Sequence, residues 1–184
     1  MNGFHRLQLY LMRPHLLYEK PMQAREESMV DIDEPRFRIS EVASATGVAA
    51  NTIRSWFQRQ HLRLVETDKR AEANGVAHKL SLRSALRIGT MGALVAQGVE
   101  PSVAGWAATR WTDSGNDERL PGCLFAEPLT VLCVFADGDA RVVHSPIGSG
   151  RAFDLFVSHG GRQNGVRAIL VDFVDKQVRL GLKV

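Results

Sequence analysis

The chain has 184 residues, 45% of them hydrophobic and 23% charged, with a net charge of +3. That is the composition of a soluble globular chain with room for one or two small domains and a core of ordinary size. Two cysteines, Cys123 and Cys133, lie ten positions apart with no CxxC spacing and no His-rich partner set, so no metal site is expected. Cys133 stands inside the apolar run TVLCVF and reads as a small buried hydrophobe, in keeping with a reducing cytoplasm. No apolar run reaches the roughly 18 residues of a spanning helix. The N-terminal Leu, Tyr and Met residues are broken by Arg6, Arg13, Pro14 and His15, which makes a poor signal peptide. The expectation is a cytoplasmic, nucleoid-associated chain with no membrane partner.

Residues 1–35 read as a flexible N-terminal arm, with Pro21 and Pro35 bracketing a charged stretch that ends in DIDEP. Residues 39–59, ISEVASATGVAANTIRSWFQR, carry the spacing of a helix-turn-helix. Ala43 is small where two helices cross, Gly47 can take the positive φ of a tight turn, and Ile53 packs the second helix onto the first. Val42, Val48 and Trp56 fill apolar positions around them. Ser40 is the expected N-cap of a first helix over 41–45, and the second helix is expected over 50–59. Its N-terminal end is the one that faces base edges in such units, placing Ala50, Asn51 and Thr52 there. Asn51 has the donors and acceptor to pair with adenine, and equally suits a second cap; Thr52 suits a phosphate or a thymine methyl. Ser55 is small and outward. Arg54 and Arg59 suit phosphate or guanine.

A short strand is expected over 62–65, then the charged loop ETDKRAEANG, then a return strand over 76–80 after the Asn74-Gly75 turn signal. This is the outline of a wing over 64–80, with Lys69 and Arg70 near its tip and Lys79 on its second strand, able to meet a phosphate backbone. From Arg36 to Arg87 there are ten Lys or Arg and four Asp or Glu, a net of +6, so the remainder is about −3. Positive charge gathered on one domain is the footprint of a polyanion binder. Ser81 is a further N-cap candidate, for a helix over 82–97 with Leu82, Ala85, Leu86, Ile88, Gly89 and Leu94 on one broad face. Gly98 stops it, and Pro101 opens a short helix to residue 111 in which Trp106 and Trp111 read as packing residues.

Residues 37–100 resemble the winged helix-turn-helix DNA-binding domain of MerR-type regulators. The stretches that carry the resemblance are FRISEVASATGVAANTIRSWFQR, NGVAHKLS and the helix ending in ALVAQGVEP. Thr52-Ile53-Arg54 and Trp56 match the family's second helix. Ser55 stands where an aromatic is usual, and Gln60-His61 where a Gly-Leu pair is usual. The resemblance implies that Thr52 and Arg54 touch DNA and that Arg70 belongs to the wing. Beyond residue 100 no heptad run follows, and the several cysteines of metal-sensing members are missing.

TDSGNDERLPG, residues 112–122, reads as a linker. Residues 123–184 read as a small antiparallel β-rich domain for dimerisation or for partner or ligand binding. Its strands are expected at 129–135 and 140–144 about the Asp137-Gly138 turn, then at 166–174 and 177–184 about Asp175-Lys176. Residues 151–158 fit a helix or a strand equally. Two hairpins make a four-stranded sheet. His144, Ser145, Asp154, Ser158 and His159 show no nucleophile-elbow pattern, and the GSGR at 148–151 lacks the downstream residues of a phosphate loop. No catalytic residue and no cofactor are expected.

The fold class expected is thus α+β: a mostly helical winged helix-turn-helix domain over 36–111, then the β-rich domain. The function expected is a sequence-specific double-stranded DNA-binding transcriptional regulator of bacterial or phage type, not an enzyme. It would be homodimeric through the C-terminal domain, with RNA polymerase or another protein as a further partner. The alternative is an architectural DNA-binding factor, such as an excisionase-like recombination or DNA-packaging subunit.

Overall fold

The computed structural model describes residues 31–68, 78–126, 129–144 and 165–184. These belong to a mixed α and β unit running from Asp31 to Val184. In chain order it contains β1 (Phe37–Arg38), α1 (Ile39–Thr46), α2 (Ala50–Gln58), β2 (Lys79–Leu80), α3 (Leu82–Ala96), α4 (Pro101–Thr112), β3 (Thr130–Phe135), β4 (Ala140–His144), β5 (Val166–Leu170) and a C-terminal helix α5 (Val171–Leu182).

Helix α3 is the centre. Leu82, Ala85, Leu86, Ile88, Met91 and Leu94 are all fully buried along it, and α1, α4 and α5 pack around it. Ser81 caps it as expected, its hydroxyl accepting the Ser84 N–H at 3.2 Å, and Gly98 ends it with φ 83°. Helix α4 begins at Pro101, and Trp111 is buried in the core with its indole N–H donating to the Cys123 carbonyl at 3.2 Å. Trp106, by contrast, is 44% exposed, with the Arg110 guanidinium 5.3 Å from its ring, and is not a core residue. Cys133 is buried, and that burial pushes its thiol up to about 11.

The Asp137-Gly138 turn forms as expected, Gly138 taking φ 86°, and joins β3 to β4 with Val131 opposite Val143. The C-terminal half of the β-rich reading is corrected. Among the described residues the sheet has three antiparallel strands in the order β4-β3-β5 where four were expected, and residues 171–182 are a helix rather than the turn and strand of a second hairpin. Val171, Val174 and Val178 recur at helical spacing and are buried, while Leu180, which fitted an alternating strand pattern, is largely exposed. Asp175 accepts Arg179 Nε at 2.8 Å across one helical turn, a pairing that a strand would place differently.

Helix α5 belongs to the same compact unit as α1 and α3. It lies on α1 and α3. A Cβ at Gly89 would come within 2.9 Å of Val178 Cγ2 and 3.1 Å of Val174 Cγ1, and one at Gly181 within 2.6 Å of Ala45. Residues 112–122 are held by side-chain hydrogen bonds. Arg119, buried, donates from Nη1 to the carbonyls of Trp111, Leu120 and Cys123, and from Nη2 to that of Ser114. Desolvation by burial lowers its pKa from the usual arginine value. One side chain thereby supplies the donors that these turn carbonyls require once buried.

Candidate nucleic-acid interface

The helix-turn-helix segment forms. Gly47 takes φ 73° and its N–H donates to the Ala43 carbonyl at 3.0 Å, closing α1. Thr46 Oγ1 donates to the Val42 carbonyl and accepts the Val48 N–H, so the turn satisfies its own polar groups. The start of α1 differs from expectation. Ser40 lies inside the helix and Arg38 is the N-cap, its N–H donating to Glu41 Oε2 at 2.6 Å. Glu41 performs the capping that Ser40 was expected to perform, because the chain turns into the helix two residues sooner.

Helix α2 buries Ile53 and Trp56 against the rest of the unit. The opposite face carries Asn51, Thr52, Arg54 and Arg59 in the open, with Ala50 and Ser55 half-buried at its margins. The N-cap of α2 is Ala49, which makes no side-chain cap bond, and no acidic residue stands in the first turn. Asn51 is therefore not a cap. Its Oδ1 accepts Arg54 Nη1 at 2.8 Å, which orients the Arg54 fork on the exposed face. The positive end of the helix is left uncompensated, a setting that favours an anion.

The wing is corrected in part. Residues 62–65 are not a strand. The Val65 N–H donates to Asp68 Oδ2 at 3.1 Å, and the Arg63 carbonyl accepts Arg87 Nη1 at 2.8 Å, so side chains take the groups a ladder would use. Strand β2 pairs instead with β1, Phe37 opposite Leu80 and Arg38 opposite Lys79. Lys69 and Arg70 lie outside the described residues, as do Ser145, Asp154, Ser158, His159 and the GSGR at 148–151. His144 is described, exposed, with its ring edge-on to Phe125 at 5.6 Å.

Directly opposed residues of an antiparallel pair share a face, so Arg38 and Lys79 stand side by side, both exposed. Next to them a cleft of about 780 Å³ opens, its walls including Ile39, Arg54, Phe57, Arg63 and His78. The structure thus brings Arg54 of α2 to the same cleft as the residue preceding Lys79. Among the described residues, none of Arg38, Arg54, Arg59, Arg63 and Lys79 is in an ion pair. Two arginines, Arg83 half-buried and Arg87 buried, behave otherwise: Arg83 binds Asp33 at 2.5 Å and Arg87 binds Asp113 at 2.5 Å. The hydrogen bond from Arg83 lowers the Asp33 pKa and raises its own.

Three contributors escaped the sequence reading. Arg38 and Arg63 figured only in the charge count, and Asp68 only as an acid in a loop. Asp68 is buried and accepts the N–H groups of Val65 and Ser81, the latter at 2.7 Å, and the Ser84 hydroxyl. It pins the chain leaving α2 to the start of α3, and so fixes where Lys79 emerges. The available signal was Asp68 thirteen residues before a Ser-x-x-Ser cap, too distant for local rules. Among the described residues no cluster of His, Cys, Asp and Glu could hold a metal ion, and no helix is long and apolar enough to cross a membrane. No protein-family model matches the chain, and no curated protein matches it either.

Proposed function

We propose that this protein is a sequence-specific double-stranded DNA-binding transcriptional regulator of bacterial or phage type, with α2 in the major groove and the Arg38–Lys79 ribbon on the phosphate backbone. The observation that carries the reading is the unpaired basic face on and beside α2. Among the described residues, Arg38, Arg54, Arg59, Arg63 and Lys79 are exposed without carboxylate partners, while Arg83 and Arg87 of the same unit are paired with Asp33 and Asp113. A helix crossing its predecessor through a left-handed Gly47 presents the hydrogen-bonding pair Asn51 and Arg54 outward. Such side chains read adenine and guanine edges, while the flanking cations set register on the backbone.

The test is selection from a random-sequence duplex pool with the whole chain, at two salt concentrations. The whole chain is needed because a 36–111 fragment would strip α5 from Gly89 and Ala45. Enrichment of one motif is expected. With four or five phosphate contacts, log affinity should fall with log salt at a slope of about −4. Arg54→Ala should weaken the selected site by about 1–3 kcal/mol and relax preference at one base position. Salt-sensitive binding without a motif would support the architectural alternative instead. A flat salt response would remove both.

A further inference from the structure

A cleft of about 820 Å³ opens where the chain leaving α2 meets α4. Its volume lies within the range of small-molecule sites. Helix α4 contributes Gly105 and Trp106 to its walls, and the chain after α2 contributes Gln60, His61 and Arg63. These two walls are clamped together. The His61 carbonyl fills the space that a Cβ at Gly105 would take, and the Arg63 carbonyl accepts Arg87 Nη1 at 2.8 Å. Leu62 between them is buried, whereas Arg63 is exposed. The backbone here is therefore fixed while the guanidinium is free. Trp106 is likewise held. Arg110 lies 5.3 Å from its ring centroid and donates from Nε to the Ala140 carbonyl at 3.4 Å, yet Trp106 stays 44% exposed.

We propose that this cleft binds a planar aromatic carboxylic acid, its ring stacked on Trp106 and its carboxylate on the Arg63 fork, and that the ligand thereby draws Arg63 away from DNA. Charge decides which ligand suits it. Arg83 and Arg87 on the walls are already paired with Asp33 and Asp113. Among the described residues that leaves Arg63 and the exposed Glu66 as charged wall residues without an ion pair. One free cation suits a single negative charge. A phosphate dianion would face Glu66 with no second cation to balance it. Stacking on an indole and bidentate pairing with a guanidinium are the contacts that these two side chains make best.

The link to DNA rests on the reading of the neighbouring cleft, beside Arg54 and His78, as part of the nucleic-acid interface. Gln60, Arg63 and Leu64 line both clefts. A guanidinium engaged by a carboxylate is lost to phosphate, so ligand and DNA compete for one side chain. Each therefore weakens the other by the same factor. Gln60 stands at this junction with φ 60°. A side chain held in the left-handed region carries strain, and such strain gathers at ligand clamps. Glycine would relieve it, but would remove an amide from both clefts.

Isothermal titration calorimetry of the whole chain with cinnamate, without DNA, tests the site. A dissociation constant on the order of 1 mM is expected for so small a probe. Cinnamyl alcohol, which keeps the ring, and cyclohexanecarboxylate, which keeps the charge, should each bind at least roughly tenfold more weakly. Trp106→Ala and Arg63→Ala should do the same to cinnamate with unchanged circular dichroism, because both residues are exposed. Trp106→Phe and Arg63→Lys should each recover part of the loss. Glu66→Gln should tighten the anion up to about threefold. Gln60→Gly should weaken it, although that variant gains stability. No heat with cinnamate, equal binding of either control compound, or indifference to both alanine variants would overturn the site. The coupling is read by fluorescence anisotropy on a short random-sequence duplex at fixed ionic strength. Saturating cinnamate should weaken the complex roughly two- to fivefold, the worth of one exposed ionic contact, and the Arg63→Ala protein should not respond. An unchanged DNA affinity would overturn the coupling. A chain that never binds the duplex would remove the DNA-binding reading and the coupling with it, while calorimetry still decides the site.

Discussion

Asp68→Ala tests how the basic face is held in place. The carboxylate sits against Ser81 and Ser84, both buried, and takes the Ser81 N–H at 2.7 Å, the Val65 N–H at 3.1 Å and the Ser84 hydroxyl. Alanine leaves two fully buried donors without a partner, each costing about 1–3 kcal/mol. Part of that is offset because the variant no longer desolvates a carboxylate. A net loss of about 2–4 kcal/mol follows, or roughly 5–15 °C in melting temperature for a unit of this size. Urea unfolding followed by circular dichroism at neutral pH measures it, with Asp68→Asn intermediate because the amide keeps one acceptor oxygen. DNA affinity offers a second readout of opposite sign to simple electrostatics. Removing a negative charge by itself strengthens binding to a polyanion. Release of the chain between α2 and β2 lets Lys79 wander and weakens it. A stability loss below about 0.5 kcal/mol, or an unchanged or tighter complex, would refute this role.

Gly105→Ala should be among the most damaging small substitutions. The added Cβ would lie 1.9 Å from the His61 carbonyl oxygen, a backbone atom that no rotamer change can move, so a loss of at least about 2–3 kcal/mol is expected in the same unfolding assay. Gly47→Ala, in open space at φ 73°, should lose only about 1–2 kcal/mol from the left-handed backbone. Gln60 holds φ 60° without being glycine; Gln60→Gly should gain a few tenths of a kcal/mol, whereas Gln60→Val should lose about 1 kcal/mol or more. Acid titration of stability should show two opposed carboxylates. Asp33 has its pKa lowered by the Arg83 hydrogen bond, so its contribution is present above the unfolded value of about 3.9 and is lost as pH falls through the folded one. Asp175 has its pKa raised by burial, against the opposing pull of Arg179. Its contribution is full below the unfolded value and is lost as pH rises through the folded one. Asp33→Asn should therefore flatten the acid limb, and Asp175→Asn should remove the loss on the way up to neutral pH.

Much of the first half of the unit was legible because its rules are local. A glycine that must turn left-handed, a serine cap, a proline at a first helical turn and apolar residues at helical spacing each act within a few neighbours. Gly47, Ser81, Pro101 and the buried stripe of α3 were therefore readable, as were the outward residues of α2 and the Asp137-Gly138 turn. Where local rules conflicted, the reading failed. Val178, Leu180 and Leu182 fit a strand as well as a helix when only their alternation is counted. What selected the helix was the presence of α1 and α3, whose small residues Ala45 and Gly89 leave a groove that Val174, Val178 and Gly181 fill.

The same reason separates what the sequence by itself determined from what only the tertiary structure decided. Local chemistry alone set the turn between α1 and α2, the cap and limits of α3, and the positive charge carried by 36–87. The folded chain decided which of those charges stay free. Arg83 and Arg87 meet Asp33 and Asp113, 50 and 26 residues away in sequence, whereas Arg38 is brought beside Lys79 and Arg54 to the same cleft as His78. Pairing of charges across such separations depends on where packing places the backbone, and burial of apolar side chains, which has no preferred direction, is what places it.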